Sequence, residues 1–328
     1  MDRELLPARH FLLVVGFCLA ACSSQEKPPA PRLQSAKQSR AVVPELVLLA
    51  GGQKIAVRHY GTPGGFPLFF FHGWPSDASQ AVLLDAVAKE NGFHVLAPDR
   101  PGFGRSDPQP NRRLTDWPRV VAGIADHYHH RRFAVMGVSG GGPYALVTGW
   151  ALPRRVTSVT AISCATPLAE SSDPSEFAPL YRALLGAYKE HPDALRQFFR
   201  AGRSVVGLMP NPLWWLATRG LPAPDRAALA DPTTFSTVFS GVRQGWRSGH
   251  DGVFEDAALN AQPWGFPLNE IRVPVVFWHG VEDRNFRPSA VRRVASQVPG
   301  ASLHVVENEG HFSLPLRRAD SIVAAVRR

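Results

Sequence analysis

The sequence contains little cysteine, and its N-terminal apolar run is short. Three cysteines, Cys18, Cys22 and Cys164, are spread over 328 residues, far fewer than a small scaffold held together by disulfides contains. The apolar run covers residues 11–21, shorter than the roughly 20 residues that a membrane-spanning helix needs. A disulfide framework and a stable transmembrane anchor are therefore not expected. The hydrophobic fraction of 45% is sufficient for one large core.

Basic side chains outnumber acidic ones in this sequence. The chain has 27 Asp and Glu against 36 Lys and Arg, for a formal charge of +9. The arginine pairs lie far apart along the chain, at residues 112–113, 131–132, 154–155, 292–293 and 317–318. They form no basic stripe interleaved with aromatic residues, as nucleic-acid binding would need. We therefore expect a solvated basic surface and no nucleic-acid partner.

Candidate metal ligands are concentrated in residues 126–130, which read Asp-His-Tyr-His-His. These histidines do not share one face of a helix. They lie near a predicted helix C-terminus, where a protonated imidazole is favourable without any metal. We expect no metal site here.

Apolar runs alternate with helical patterns from about residue 44 onward. The middle runs are almost continuously apolar, which is typical of parallel strands buried on both faces. Strands are predicted at residues 46–50, 54–60, 67–71, 93–98, 133–138, 156–163, 274–279 and 302–306. Helices are predicted at residues 78–90, 116–130, 140–151, 288–297 and 316–328. This order predicts an α/β fold with a doubly wound, mostly parallel, eight-stranded sheet.

The alternation stops between about residues 167 and 267. This stretch is helical in pattern and rich in Trp, Phe, Leu and Pro. An insertion at the carboxyl edge of the sheet lies above the expected ligand site, so we interpret it as a helical cap. Its aromatic residues could pack the cap or line an acyl-binding wall, and Asp251 is interpreted as structural.

Residues 137–141 read Gly-Val-Ser-Gly-Gly and join a predicted strand to a predicted helix. A G-x-S-x-G motif in this context places its serine on a sharp turn, where small neighbours permit close approach. Ser139 is therefore the candidate nucleophile. The backbone N–H of Gly140 is a candidate oxyanion donor, and the N–H of Trp74, in the loop after an earlier strand, is the second.

A serine nucleophile needs a base and an acid that orients the base. His311 lies just after the last predicted strand, and Asp283 follows the strand before it. The order Ser139, Asp283, His311 is the order expected for this motif. Glu282 is the alternative acid. We expect His72 to brace the Trp74 loop rather than to transfer protons.

Several motifs together resemble the α/β-hydrolase family from about residue 44 to 328. They are FHGWP at residues 71–75, DRPGFGRS at 99–106, the Ser139 turn, HGVED at 279–283 and GH at 310–311. The resemblance implies acyl transfer through a Ser139 acyl-enzyme, without metal or organic cofactor. It also implies that Asp99 and Arg105 shape the core near the site and are not catalytic.

The predicted function is hydrolysis of small or medium, fairly apolar carboxylic esters. Amide, lactone or carbon–carbon bond hydrolysis on the same triad remains an alternative, as does a ligand-binding lipoprotein without turnover. The Trp74-Pro75 pair is also similar to epoxide hydrolases and haloalkane dehalogenases, but those use an aspartate where this chain has Ser139. Proline iminopeptidases carry further glycines in the loop that here contains Trp74.

The N-terminus is similar to that of bacterial lipoproteins. Arg3 and Arg9 precede the apolar run, which ends in Leu-Ala-Ala followed by Cys22. The resemblance implies a signal peptide at 1–21, acylation of Cys22, and a membrane-anchored protein on the periplasmic or cell-surface side. Residues 22–43 would form a polar tether. Cys18 would then be removed and Cys164 would stand alone. The sequence predicts no oligomeric state.

Overall fold

The computed structural model of the protein describes residues 42–171, 173–247 and 251–328. The predicted signal peptide, Cys22 and nearly all of the tether lie outside these residues. None of the helices in the described ranges has both the length and the apolar character needed to cross a bilayer.

A single eight-stranded sheet forms the centre of the domain. Its strands are β1 (Glu45–Leu48), β2 (Lys54–Gly61), β3 (Phe66–Phe71), β4 (Phe93–Pro98), β5 (Phe133–Val138), β6 (Val156–Ile162), β7 (Val275–Gly280) and β8 (Ser302–Val306). Their order is β1-β2-β4-β3-β5-β6-β7-β8. The β1–β2 and β2–β4 pairs are antiparallel and all others are parallel. The predicted mostly parallel sheet is confirmed.

The predicted strand ends lie within one residue of the observed ones, except at the end of β1. The ends of β4, β5 and β8 coincide with the prediction, whereas β1 stops at Leu48 instead of residue 50. The chain already turns at Leu49, whose N–H donates to the Gln53 carbonyl. Gly51 and Gly52 complete this turn with φ values of 100° and 88°, which glycine adopts without steric cost.

Helices cover both faces of the sheet. They are α1 (Asp85–Glu90), α2 (Trp117–His127), α3 (Gly142–Ala151), α10 (Pro288–Ser296), α11 (Ser313–Arg317) and α12 (Ala319–Ala324). One apolar cluster joins the sheet to α2, α3 and α10, and a second joins it to α1, α11 and α12. The core therefore has two layers, one on each side of the sheet.

Two of the predicted helices differ from the observed ones. The predicted helix at 78–90 is a 3₁₀ segment, Ala78–Leu84, followed by α1. The predicted helix at 316–328 is replaced by α11 and α12. Helix α11 begins before Pro315 because proline is tolerated in the first turn of a helix, where its missing N–H has no intrahelical partner.

Among the residues that the structure describes, six α-helices lie between β6 and β7 and form the cap. They are α4 (Pro179–Glu190), α5 (Pro192–Leu208), α6 (Asn211–Ala217), α7 (Ala223–Ala228), α8 (Pro232–Arg247) and α9 (Gly252–Asn260). Phe199 of α5 stacks on Trp246 of α8 with ring centroids 5.4 Å apart. Much of the aromatic content of this stretch thus packs the cap itself.

Candidate active site

Ser139 lies on a tight turn between β5 and α3. Its φ is +53°, a left-handed conformation that a non-glycine residue adopts only when its surroundings impose it. A Cβ on Gly137 would lie 2.2 Å from the Gly141 carbonyl oxygen, and one on Gly141 would lie 2.1 Å from the Phe71 carbonyl oxygen. The turn therefore requires glycine at both positions, as the motif predicts.

The structure brings the three predicted triad side chains together. The Ser139 Oγ is 2.9 Å from His311 Nε2, and His311 Nδ1 is 2.8 Å from Asp283 Oδ2. All three residues are buried. Each follows the carboxyl end of a strand, β5, β7 or β8, so the sheet delivers them to one edge.

Asp283, and not Glu282, is the carboxylate that contacts His311. Its other oxygen, Oδ1, accepts the backbone N–H groups of Asn285 at 2.8 Å and Phe286 at 3.1 Å. The contact of Glu282 with the loop that carries His311 is made by its backbone N–H, which donates to the Glu309 carbonyl. The backbone bonds hold the Asp283 carboxylate in one orientation toward the imidazole.

The charges of Asp283 and His311 shift each other's pKa. Burial alone would raise the pKa of Asp283, but the adjacent His311 outweighs it and lowers that pKa below its ordinary value. Burial alone would lower the pKa of His311, but Asp283 outweighs it and raises that pKa. The pair therefore favours a carboxylate that stabilises an imidazolium, as a general base needs.

The backbones of Trp74 and Gly140 face each other beside the nucleophile. A Cβ on Gly140 would lie 2.8 Å from Trp74 Cβ and 3.1 Å from Trp74 N, and a Cβ on Gly73 would lie 3.5 Å from Ser139 Cβ. Within the ranges that the structure describes, neither the Trp74 N–H nor the Gly140 N–H donates to an acceptor. Both donors are free to bind a developing oxyanion.

Arg100 braces the loop that carries Trp74. Its fully buried guanidinium donates to the carbonyl oxygens of His72 and Gly73, and it pairs with Asp256 of α9 at 2.6 Å. His72 is held between the Gly73 carbonyl and the Arg100 N–H. Burial, reinforced by Arg100, lowers the pKa of His72 well below its ordinary value, so a neutral, structural imidazole is favoured.

Asp256 ties the cap to the core through a buried polar cluster. Besides Arg100, its carboxylate accepts the Tyr144 hydroxyl at 2.7 Å and pairs with Arg112. The carboxylate is fully buried, so removing its partners would leave an uncompensated charge inside the protein. The cluster thus fixes α9 relative to the Trp74 loop.

Asp225 of α7 holds the loop that carries the base. Its carboxylate accepts the backbone N–H groups of His311 at 3.1 Å, Phe312 at 3.0 Å and Ser313 at 2.8 Å. A Cβ on Gly310 would lie 2.5 Å from the same carboxylate. Buried N–H groups require acceptors, and here the cap supplies one acceptor group for three of them.

Asp225, Asp256 and Arg100 were not among the residues singled out in the sequence. Both carboxylates lie in helices with no local motif, and their partners are far away in the chain. Asp251, interpreted as structural, pairs with Arg196 and Arg200 within the cap. Asp99, predicted to shape the core, is fully buried and accepts the Ala78 N–H at 2.8 Å.

In the part of the chain that the structure describes, neither Cys164 nor the predicted histidine cluster hydrogen-bonds to a triad side chain. Cys164 is a buried free thiol, and burial raises its pKa. His127 and Tyr128 are directed to Glu45 of β1. In the described part of the chain, no group of three or more His, Cys, Asp or Glu side chains is arranged to hold a metal ion.

A small apolar cavity of about 20 Å³ lies between the cap and the Trp74 loop. Its lining includes Trp74 and Tyr181 of α4. Tyr181 packs on Phe286, whose ring centroid is 6.1 Å from that of His311. The cavity therefore contacts the residue that carries one candidate oxyanion donor, and Tyr181 and Phe286 connect its wall to His311.

Comparisons with known proteins agree with this fold. The chain is 28% identical over 254 residues to a non-heme chloroperoxidase of Streptomyces lividans, covering 73% of this chain and 82% of that protein. It is 25% identical over 275 residues to a 2-hydroxy-6-oxononadienedioate/2-hydroxy-6-oxononatrienedioate hydrolase of Cupriavidus pinatubonensis, covering 80% and 82%. The esterase RhEst1 from Rhodococcus sp. ECU1013 superposes with a TM-score of 0.60 at 19% identity, covering 88% and 100%.

The family model of the alpha/beta hydrolase fold matches residues 67–317. This span contains all three predicted triad residues, both candidate oxyanion donors and the whole cap. The chain therefore belongs to the alpha/beta hydrolase fold family and is a hydrolase.

Proposed function

We propose that the protein is a serine hydrolase that cleaves small or medium, apolar carboxylic esters. The observation that carries this proposal is the continuous hydrogen-bonded chain from Ser139 Oγ through His311 to Asp283. An ordered nucleophile, base and acid are what acyl transfer requires. A binding module would have no use for them, so the non-catalytic alternative is disfavoured.

In the proposed reaction, His311 Nε2 takes the Ser139 hydroxyl proton as Oγ attacks the ester carbonyl carbon. The N–H groups of Trp74 and Gly140 donate to the oxyanion of the tetrahedral intermediate. His311 then gives its proton to the leaving alkoxide, which departs as an alcohol. Water, deprotonated by His311, attacks the Ser139 acyl-enzyme and releases the carboxylic acid with the serine restored.

The lining of the cavity supports an uncharged, apolar substrate. The volume of about 20 Å³ is far below the range typical of ligand pockets, so the lining and not the size of the cavity supports this substrate class. Its lining is apolar, with Leu168, Leu184, Leu185 and Leu195 beside the aromatic residues, and contains no charged side chain. The dioate named in one relative carries two carboxylates, which would lack a cationic partner in this lining.

Ser139→Ala is expected to abolish hydrolysis of a series of p-nitrophenyl esters, with a loss of kcat on the order of 10⁶-fold. The wild-type kcat/KM should be highest for short and medium acyl chains and should fall for long ones, because the cavity beside Trp74 leaves little room for a long chain. Ser158→Ala is the matched control, because this buried hydroxyl donates to the Arg327 carbonyl and is outside the triad. Faster turnover of amides or dioates than of any ester would refute the ester assignment.

The pH dependence of kcat/KM is expected to have an acidic limb above pH 6.5, the ordinary pKa of histidine. Only neutral His311 accepts the Ser139 proton, and Asp283 raises the pKa of His311, so activity is lost as pH falls through that raised value. Asp283→Asn should move the limb to lower pH and lower kcat on the order of 10⁴-fold. Glu282→Gln, the control, should change neither the acidic limb nor kcat. A loss of kcat and a shifted limb in Glu282→Gln, with both unchanged in Asp283→Asn, would identify Glu282 as the acid.

Asp225→Asn is expected to lower kcat by about 100-fold with little change in KM, because displacement of the His311 loop misaligns the base. The amide keeps the size of the side chain but loses one acceptor oxygen. Steady-state kinetics on one good ester, with near-ultraviolet circular dichroism to verify folding, measures the effect. Asp251→Asn, a cap carboxylate that contacts only Arg196 and Arg200, should retain kcat. Equal losses in both variants would show a general effect on the cap.

A further inference from the structure

Four large apolar side chains project from one short segment of the cap into solvent. Val205 and Leu208 at the end of α5 are 57% and 70% exposed, and Leu213 and Trp215 of α6 are 53% and 51% exposed. Single exposed apolar residues are common, but several together mark an interaction surface. These four residues are called the cap patch below.

The exposure of the cap patch does not result from a poorly packed helix. Trp214, the neighbour of Trp215, packs inward on Phe239 with ring centroids 5.0 Å apart. Asn211, at the start of α6, accepts a hydrogen bond from Arg243 of α8 at 2.7 Å. Helix α6 is thus fixed to the cap through Trp214, while Leu213 and Trp215, on either flank of Trp214, are exposed to solvent.

Arginines without carboxylate partners surround the cap patch. Residues 194–224 and 232–250 contain no Asp or Glu. The Arg219 guanidinium lies 4.8 Å from the Trp215 ring centroid, and a Cβ on Gly207 would lie 3.0 Å from Arg247 Cγ. Arg219, Arg243 and Arg247 form no salt bridge within the described residues. The apolar side chains therefore lie in a positively charged surface.

We propose that the cap patch docks on the surface of an anionic phospholipid bilayer. Leucine and tryptophan side chains partition into the boundary between headgroups and acyl chains. Guanidinium groups pair with lipid phosphates and gain from the negative surface potential. A single weak contact with a bilayer is reversible. The predicted lipid on Cys22 would therefore hold the chain at the membrane, and the cap patch would orient the cap on it.

The charge of this surface argues against a second copy as the occupant. A two-fold dimer brings the same patch of both subunits together. Here it would place arginines that have no carboxylate partner in the described residues against the same arginines of the other subunit. An anionic bilayer offers lipid phosphates to the arginines and, just below them, an apolar layer to the leucine and tryptophan side chains.

Vesicle co-sedimentation tests the proposal, using the full chain with Cys22→Ser so that no lipid is attached there. We expect tighter binding to vesicles of equal phosphatidylcholine and phosphatidylglycerol than to phosphatidylcholine alone, weakening as salt rises. Leu208→Ser with Trp215→Ser should weaken binding by about ten-fold or more. Arg219→Gln with Arg247→Gln should weaken binding to the anionic vesicles by about 30-fold. All variants share residues 1–41, so differences between them arise in the cap.

Two controls match these variants at exposed positions far from the cap patch. Leu46→Ser with Leu48→Ser on β1, and Arg131→Gln with Arg132→Gln before β5, should bind as the parent chain does. Trp215 is also the exposed tryptophan of the described residues, so brominated phospholipids should quench its fluorescence, and Trp215→Phe should remove that quenching.

Three results would overturn the proposal. The first is equal binding to both kinds of vesicle, and the second is unchanged binding in the cap variants. The third is a concentration-dependent dimer in analytical ultracentrifugation that Leu208→Ser with Trp215→Ser abolishes, since a second copy would then cover the patch.

Discussion

Between the end of β5 and the start of α3 the backbone reverses so closely that no Cβ fits at Gly137 or Gly141. The reversal holds Ser139 at a left-handed φ and directs its hydroxyl toward His311. The same closeness places the Gly140 N–H opposite the backbone of Trp74. The candidate nucleophile and one candidate oxyanion donor are thus fixed by one turn of backbone, and the loops carrying Trp74, Asp283 and His311 approach it.

The two catalytic loops are held by the cap as well as by the sheet. Asp225 binds the backbone of the His311 loop, and Asp256 binds Arg100, which braces the Trp74 loop. Both carboxylates are buried, where an unpaired charge would be costly. Cap docking and the geometry of the site therefore stabilise each other. A cap that left its docked position would remove the acceptor of the His311 loop and the carboxylate partner of Arg100.

The sheet and the triad could be predicted from the sequence because their signals are local. Buried parallel strands are apolar runs, and a strained serine turn requires glycines within a few positions. Asp225 and Asp256 could not be predicted, because a single acid in a helical region has no signature. Their partners, His311 and Arg100, lie 86 and 156 positions away and become neighbours only after the cap docks. The split helix at residues 78–90 was missed because a 3₁₀ segment and an α-helix share similar apolar spacing.

The central claim is that Ser139 is an activated nucleophile, and covalent labelling tests it most directly. The purified protein is treated with a fluorophosphonate, and the adduct is located by peptide mass spectrometry. The account predicts one phosphonylated residue, Ser139, formed faster as the pH rises through the pKa of His311. Labelling of a different serine, or no labelling of folded protein, would contradict it.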